Sequence, residues 1–246
     1  GGKDLVGGTY GGGVYWWENS AIGSSPPALP DGGVVTGRYS PPGSVGPKGG
    51  AGTPWTPDLG AVIIAMGAGN LNDDAGGLDE VLVGTGFDAD PNPLELFKLS
   101  DGRCGGSLYI FSKSAASDDL VLDAQFPAVG GSLVPGEGCA LQTMTSLGFI
   151  CGLRHFEIGS VDFIAVGTAD GYLHILDYNH LSANKLRYLY RSPYLAPMVG
   201  AYNSIQVFAI ATGVPGMVRR RFVLGTAGGV YGVDVTLLAP CGDSAG

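Results

Sequence analysis

Ile164-Ala165-Val166-Gly167-Thr168-Ala169-Asp170-Gly171-Tyr172-Leu173-His174-Ile175-Leu176 decides the fold class. Two apolar runs of strand length flank a short turn that contains Gly171. Tight hairpin turns need positive φ, which glycine adopts at no steric cost, so the segment reads as a β-hairpin. Three further stretches repeat the first half: Leu5-Val6-Gly7-Gly8-Thr9, Val81-Leu82-Val83-Gly84-Thr85 and Phe222-Val223-Leu224-Gly225-Thr226. Each is an apolar run ending in Gly-Thr, and each is followed by a second run that opens on Gly. Those second runs are Gly13-Val14-Tyr15-Trp16-Trp17, Gly106-Ser107-Leu108-Tyr109-Ile110-Phe111 and Gly229-Val230-Tyr231-Gly232-Val233.

Three copies carry another apolar run upstream, at Ala61 to Met66, Leu147 to Leu153 and Ile205 to Ile210. Two carry one downstream, at Leu120 to Phe126 and Lys185 to Arg191. The unit is then a four-stranded antiparallel meander of about 50–70 residues, the size of a β-propeller blade. Its near-continuous apolar runs suit strands covered on both faces by neighbouring blades. The expected fold is all-β: a β-propeller of four-stranded antiparallel blades, with about four blades visible, as an incomplete ring or a fragment. Residues 1–246 read as a single propeller-like domain. Residues 20–60 break the pattern with Ser24-Ser25-Pro26-Pro27, Pro41-Pro42-Gly43 and Gly46-Pro47-Lys48-Gly49-Gly50, and read as a long Pro/Gly-rich loop between blades. The chain begins at Gly1 without Met, so a processed or partial product is expected.

Composition agrees with this. The 246 residues include 44 Gly and 16 Pro, and an interior Gly costs a helix roughly 1 kcal/mol against Ala, which disfavours a helical bundle. Charged residues are 14% and hydrophobic ones 45%, the reverse of a disordered chain. The formal net charge of −9 argues against nucleic acid or an anionic membrane surface as partner. No apolar stretch approaches the roughly 20 residues of a membrane span. Four cysteines, Cys104, Cys139, Cys151 and Cys241, include no C-x-x-C pair. They read as two disulfides in a secreted protein, or as four buried thiols.

The strongest site candidate is the loop after the first upstream run. Asn70, Asn72 and Asp74 alternate at i, i+2, i+4, and Asp79 follows five residues later. Oxygen donors alternating through a tight turn, with Gly76 or Gly77 permitting it, can wrap one hard cation, and calcium is the expected ion. The competing reading is a polar Asx turn between strands. Asp88, Asp90 and Asn92 repeat the spacing and form a second candidate metal loop, or else a solvated hairpin tip. Trp16 and Trp17 are candidates for ligand binding by stacking, though inter-blade packing is the alternative. His155, His174 and His180 are scattered, and His174, on an apolar run, reads as a satisfied core residue. Arg219-Arg220-Arg221 precedes a strand and reads as a solvated edge or a blade-to-blade ion pair. No nucleophile elbow, P-loop or dinucleotide fingerprint is present.

Asn70-Leu71-Asn72-Asp73-Asp74-Ala75-Gly76-Gly77-Leu78-Asp79-Glu80-Val81-Leu82-Val83-Gly84-Thr85 resembles an FG-GAP repeat of the VCBS, integrin-α-like β-propeller type. Residues 2–19 are similar to the second half of such a repeat, and residues 161–171 to a copy with a degenerate loop. The resemblance implies a seven-bladed or similar extracellular propeller that binds ligands or partners and is not usually catalytic. The inter-repeat Phe-Gly motif is missing, and one loop of four keeps the acidic spacing. The expected function is a non-catalytic extracytoplasmic binding or structural module, not an enzyme, engaging a protein partner or other subunits of an assembly. Two other classes remain in view: a propeller lectin whose tryptophans stack on a glycan, and a fragment of a quinoprotein-like enzyme.

Overall fold

The computed structural model describes residues 5–8, 14–17, 37–38, 61–71, 80–88, 107–113, 120–126, 147, 150–169, 171–195, 205–212, 214, 217–226 and 229–238. These form fourteen strands in four antiparallel sheets. The first sheet holds β1 (Leu5–Gly8), β2 (Val14–Trp17) and β3 (Gly37–Arg38). The second is the meander β4 (Ala61–Gly69), β5 (Glu80–Asp88), β6 (Leu108–Lys113) and β7 (Leu120–Phe126). The third repeats it with β8 (Ile150–Ile158), β9 (Val161–Thr168), β10 (Leu173–Tyr178) and β11 (Leu186–Arg191). The fourth holds β12 (Ile205–Ile210), β13 (Met217–Thr226) and β14 (Gly229–Leu238).

Consecutive strands pair within each sheet, and the sheets meet through their first strands: β1 against β4, β4 against β8, β8 against β12. Three apolar layers result. Val14, Val81, Val83, Tyr109 and Phe111 fill the layer between the first and second sheets. Leu82, Ile110, Ile150, Leu153, Ile164, Val166 and Leu176 fill the next. Phe156, Phe163, Leu173, Ile175, Phe222 and Leu224 fill the last. The alternation is strict in β9, where Phe163 and Ala165 face one layer and Ile164 and Val166 the other. The inner strands of the second and third sheets are covered on both faces, so β5 and β9 read as near-continuous apolar runs; each fully buried Leu, Ile or Phe contributes about 1.5–3 kcal/mol.

The Gly-Thr repeat has a physical meaning at each of its two residues. A Cβ on Gly84 would lie 2.9 Å from Ile150 Cβ, and one on Gly8 2.6 Å from Ile63 Cγ2, so the glycine admits the next sheet. The threonine ties the hairpin. Thr168 Oγ1 donates to Tyr172 O at 3.2 Å, Thr85 Oγ1 to Ser107 O at 3.2 Å, and Thr226 Oγ1 to Gly229 O at 3.1 Å. The turn glycines Gly171 (φ 90°) and Gly229 (φ 131°) have positive φ, as the hairpin reading requires.

Within the Pro/Gly-rich span 20–60, Gly37 and Arg38 pair with Trp16 and Tyr15 as β3, and the rest lies outside the described residues. Three sequence expectations need correction. In the second copy the strand does not end at Gly-Thr but runs on to Asp88. Arg219-Arg220-Arg221 lies inside β13 rather than before a strand, facing Ile210, Ala209 and Phe208 of β12. The upstream run expected at 147–153 begins at Ile150 and continues to Ile158, turning tightly through Gly159 (φ 64°) into β9. Arg154, His155 and Glu157 interrupt the apolar run there and hide the hairpin from a hydropathy reading. His174 meets its expectation: it is 1% exposed, with ring nitrogens 2.6 Å from Tyr188 Oη and 3.3 Å from Thr168 Oγ1. Cys151 is buried in β8; Cys104, Cys139 and Cys241 lie outside the described residues.

Candidate functional site

One end of the layer between the second and third sheets is polar. The parity that sends Leu82 of β5 into this layer sends Glu80 there as well. Likewise Leu153 carries His155 and Glu157 of β8 onto this side, and Ile164 carries Asp162 of β9. Tyr178 of β10 and Asp123 of β7 complete the group. Glu80 (2% exposed) and Asp162 (6%) are buried carboxylates in an otherwise apolar layer, which is costly unless each is bonded.

The bonds are specific. Leu71 N donates to Glu80 Oε2 at 2.7 Å, closing the base of the 70–80 loop across the β4–β5 pair. His155 Nε2 lies 2.7 Å from Asp162 Oδ1. Asp123 accepts from the Tyr178 hydroxyl and pairs with the Lys185 ammonium. Burial pushes the Tyr178 phenol well above its ordinary range, reinforced by the bond to Asp123 and by the negative charges of Asp123, Glu80 and Asp162. Tyr178 thus stays a neutral donor. The His155 ring is held by shape as well: a Cβ on Gly69 would lie 3.0 Å from His155 Cβ and closer still to its ring. Glycine at the end of β4 is what lets the imidazole sit against that strand.

The described ends of the loop candidate, Leu71 and Glu80, meet at this end. Asn70, directly after β4, has a buried side-chain oxygen, Oδ1, with no hydrogen-bond partner. Asn72, Asp74 and Asp79 lie outside the described residues. In the second candidate loop the backbone of Asp88 ends β5 opposite Ala61, while Asp90 and Asn92 lie outside the described residues. Trp16 and Trp17 pair through their backbones with Val6 and Leu5; their side chains are outside the described set.

In the sequence His155 stands apart from the other histidines, and Glu157 and Asp162 belong to no metal-ligand spacing. The structure brings one donor atom from each of the three within 4.8 Å of one another. The signal that could have found them is the run Arg154-His155-Phe156-Glu157-Ile158-Gly159-Ser160-Val161-Asp162, an alternating polar/apolar strand before a Gly turn. Among the other described residues, ion pairs tie neighbouring strands. Arg219 and Arg221 both pair with Asp234 on β14, while Arg220 Nη2 reaches across to Glu157 O at 3.2 Å. Hydrogen bonding to Arg221 holds the Asp234 carboxyl below its usual range. Among the described residues no helix is long and apolar enough to cross a membrane. Searches against protein-family models and curated proteins find no match to the chain.

Proposed function

We propose that the chain is a non-catalytic, extracytoplasmic β-propeller-type module that presents inter-strand loops to a protein partner, with calcium bound in the 70–79 loop. The propeller reading is supported by consecutive four-stranded meanders that stack through their first strands. One observation carries the calcium reading: Asn70 Oδ1 is buried and unpaired at the mouth of a loop whose other donors are oxygens. An orphaned carbonyl oxygen of this kind costs about 1–3 kcal/mol, and a hard cation would remove that cost. Asn70, Asn72, Asp74 and Asp79 would hold the ion, which would supply rigidity to the loop and no reaction step. Glu80, drawn back onto Leu71 N, would set the spacing of the loop ends.

The test is thermal unfolding of chelator-treated protein with added Ca2+. The expected result is a concentration-dependent rise in Tm that Asp74→Ala and Asp79→Ala abolish. A Tm indifferent to millimolar Ca2+ would leave the loop as an Asx turn and remove calcium from the reading.

A further inference from the structure

The polar end of the layer holds a second donor set with different chemistry. We propose that His155, Glu157 and Asp162 bind one divalent cation of the zinc class, independently of the calcium loop. Three features of the β8–β9 hairpin argue for it.

The donor set is of the right type. One imidazole nitrogen and two carboxylate oxygens suit borderline cations such as Zn2+, whereas calcium prefers oxygen alone. Three protein ligands, with Glu157 exposed at the rim, leave a coordination position open to water.

The geometry is close to that of a bound state. His155 and Glu157 stand two apart on one face of β8, and Asp162 is the direct cross-strand partner of Glu157. Their donor atoms already lie within 4.8 Å of one another. Donors about 2.0–2.1 Å from a tetrahedral ion stand about 3.3 Å apart. The hydrogen-bonded His155–Asp162 pair, at 2.7 Å, therefore opens slightly, and the wider separations, within 4.8 Å, close onto the ion by turning the exposed Glu157 side chain. Gly69 fixes one side of the imidazole, which lowers the entropy lost on binding.

Two carboxylates are brought together. Glu157 directly faces Asp162 across the ladder, and like charges in that arrangement are destabilising. Among the described residues the Lys and Arg ion pairs go to Asp123, Asp177 and Asp234, and Asp162 has the His155 imidazole beside it. Arg220 reaches the Glu157 backbone oxygen instead of a carboxylate. A divalent cation held between the two opposed carboxylates offsets this repulsion.

The test uses the full chain, tag-free and chelator-treated, titrated with Zn2+ by calorimetry and with Co2+ by absorbance. One ion per chain is expected to bind at micromolar concentration, with a Co2+ d–d spectrum lacking a thiolate charge-transfer band. Glu157→Gln, at an exposed position, should weaken binding about tenfold and leave the circular dichroism unchanged; His155→Gln should weaken it further. Excess Ca2+ should not displace the ion, and Asp79→Ala should not affect it, so failure here and failure of the calcium loop are read separately. Absence of Zn2+ binding at millimolar concentration would overturn the proposal. So would affinity unchanged in Glu157→Gln and His155→Gln, or a thiolate band pointing to the cysteines. The three residues would then be a hydrogen-bonded pair beside a surface glutamate.

Discussion

Thr168 is fully buried at the end of β9, so its hydroxyl needs a partner inside the protein, and Tyr172 O across the turn supplies one. Thr168→Val keeps the shape but removes the hydroxyl's bonds to Tyr172 O, which still accepts the backbone N–H of residue 168, and to His174 Nε2, and should lower stability by about 1–2 kcal/mol in urea unfolding. The same change at Thr226, where the corresponding bond is exposed, should cost less than about 0.5 kcal/mol. Near-equal losses would mean that the hydroxyl bond is not what the repeat selects for. His174, bonded to the same threonine, gives a pH dependence. Burial, aided by the nearby Arg191 charge, lowers its pKa from 6.5 to about 4. The unfolded chain therefore binds a proton that the folded chain refuses between those values. Stability from this group is complete above about pH 6.5 and falls as pH drops toward 4, by up to about 3 kcal/mol. His174→Gln should flatten the stability slope in that window, and the wild-type imidazole should stay neutral by NMR at pH 5. The structural role of His174 was legible from its place on an apolar strand. The partnership of His155 with Asp162 was not, because it depends on a cross-strand register that no single run of sequence states.

At the scale of the strand, the glycines separate into kinds that composition cannot distinguish. Gly84 lies inside β5, where a Cβ would press on the Ile150 side chain of the adjoining sheet. Gly232 lies inside β14, where a Cβ would meet nothing within 4 Å. Gly84→Ala should therefore destabilise by about 1–3 kcal/mol through overpacking. Gly232→Ala should be neutral or stabilise by about 0.5–1 kcal/mol, since alanine restricts the unfolded chain. Chemical denaturation of the two variants side by side checks the pair, and equal effects would sever the Gly-Thr motif from sheet-to-sheet packing. The repeat made most strands legible because apolar runs bounded by glycine are a local signal. The C-terminal half of β8 was not legible because its polar residues, Arg154, His155 and Glu157, break the apolar run there.

At the scale of the molecule, the sheets follow one another in chain order and each meets its sequence neighbours. The all-β class was legible because alternating layers need strands that are apolar on both faces, and β9 and β10 are buried along nearly their whole length. What the loops at 72–79 and 89–106 present was not, since polar spacing fits a cation and a turn equally well. A serial stack has a mechanical consequence: stability is close to a sum of sheets and of the layers between neighbours. Phe156 joins the third sheet to the fourth, with its ring 5.4 Å from both Phe163 and Phe222. The layer between the second and third sheets is built from other residues, with Leu82, Ile150, Leu153 and Ile164 at its centre. Phe156→Ala should cost about 3–5 kcal/mol. Its effect should be uneven: amide hydrogens of β12–β14 should exchange much faster while those of β5, β6 and β9 keep most of their protection. Native-state hydrogen exchange by mass spectrometry reads the two groups in one experiment. Uniform loss of protection across all four sheets would show instead that the layers unfold as one cooperative unit, and would remove the nearest-neighbour description of this stack.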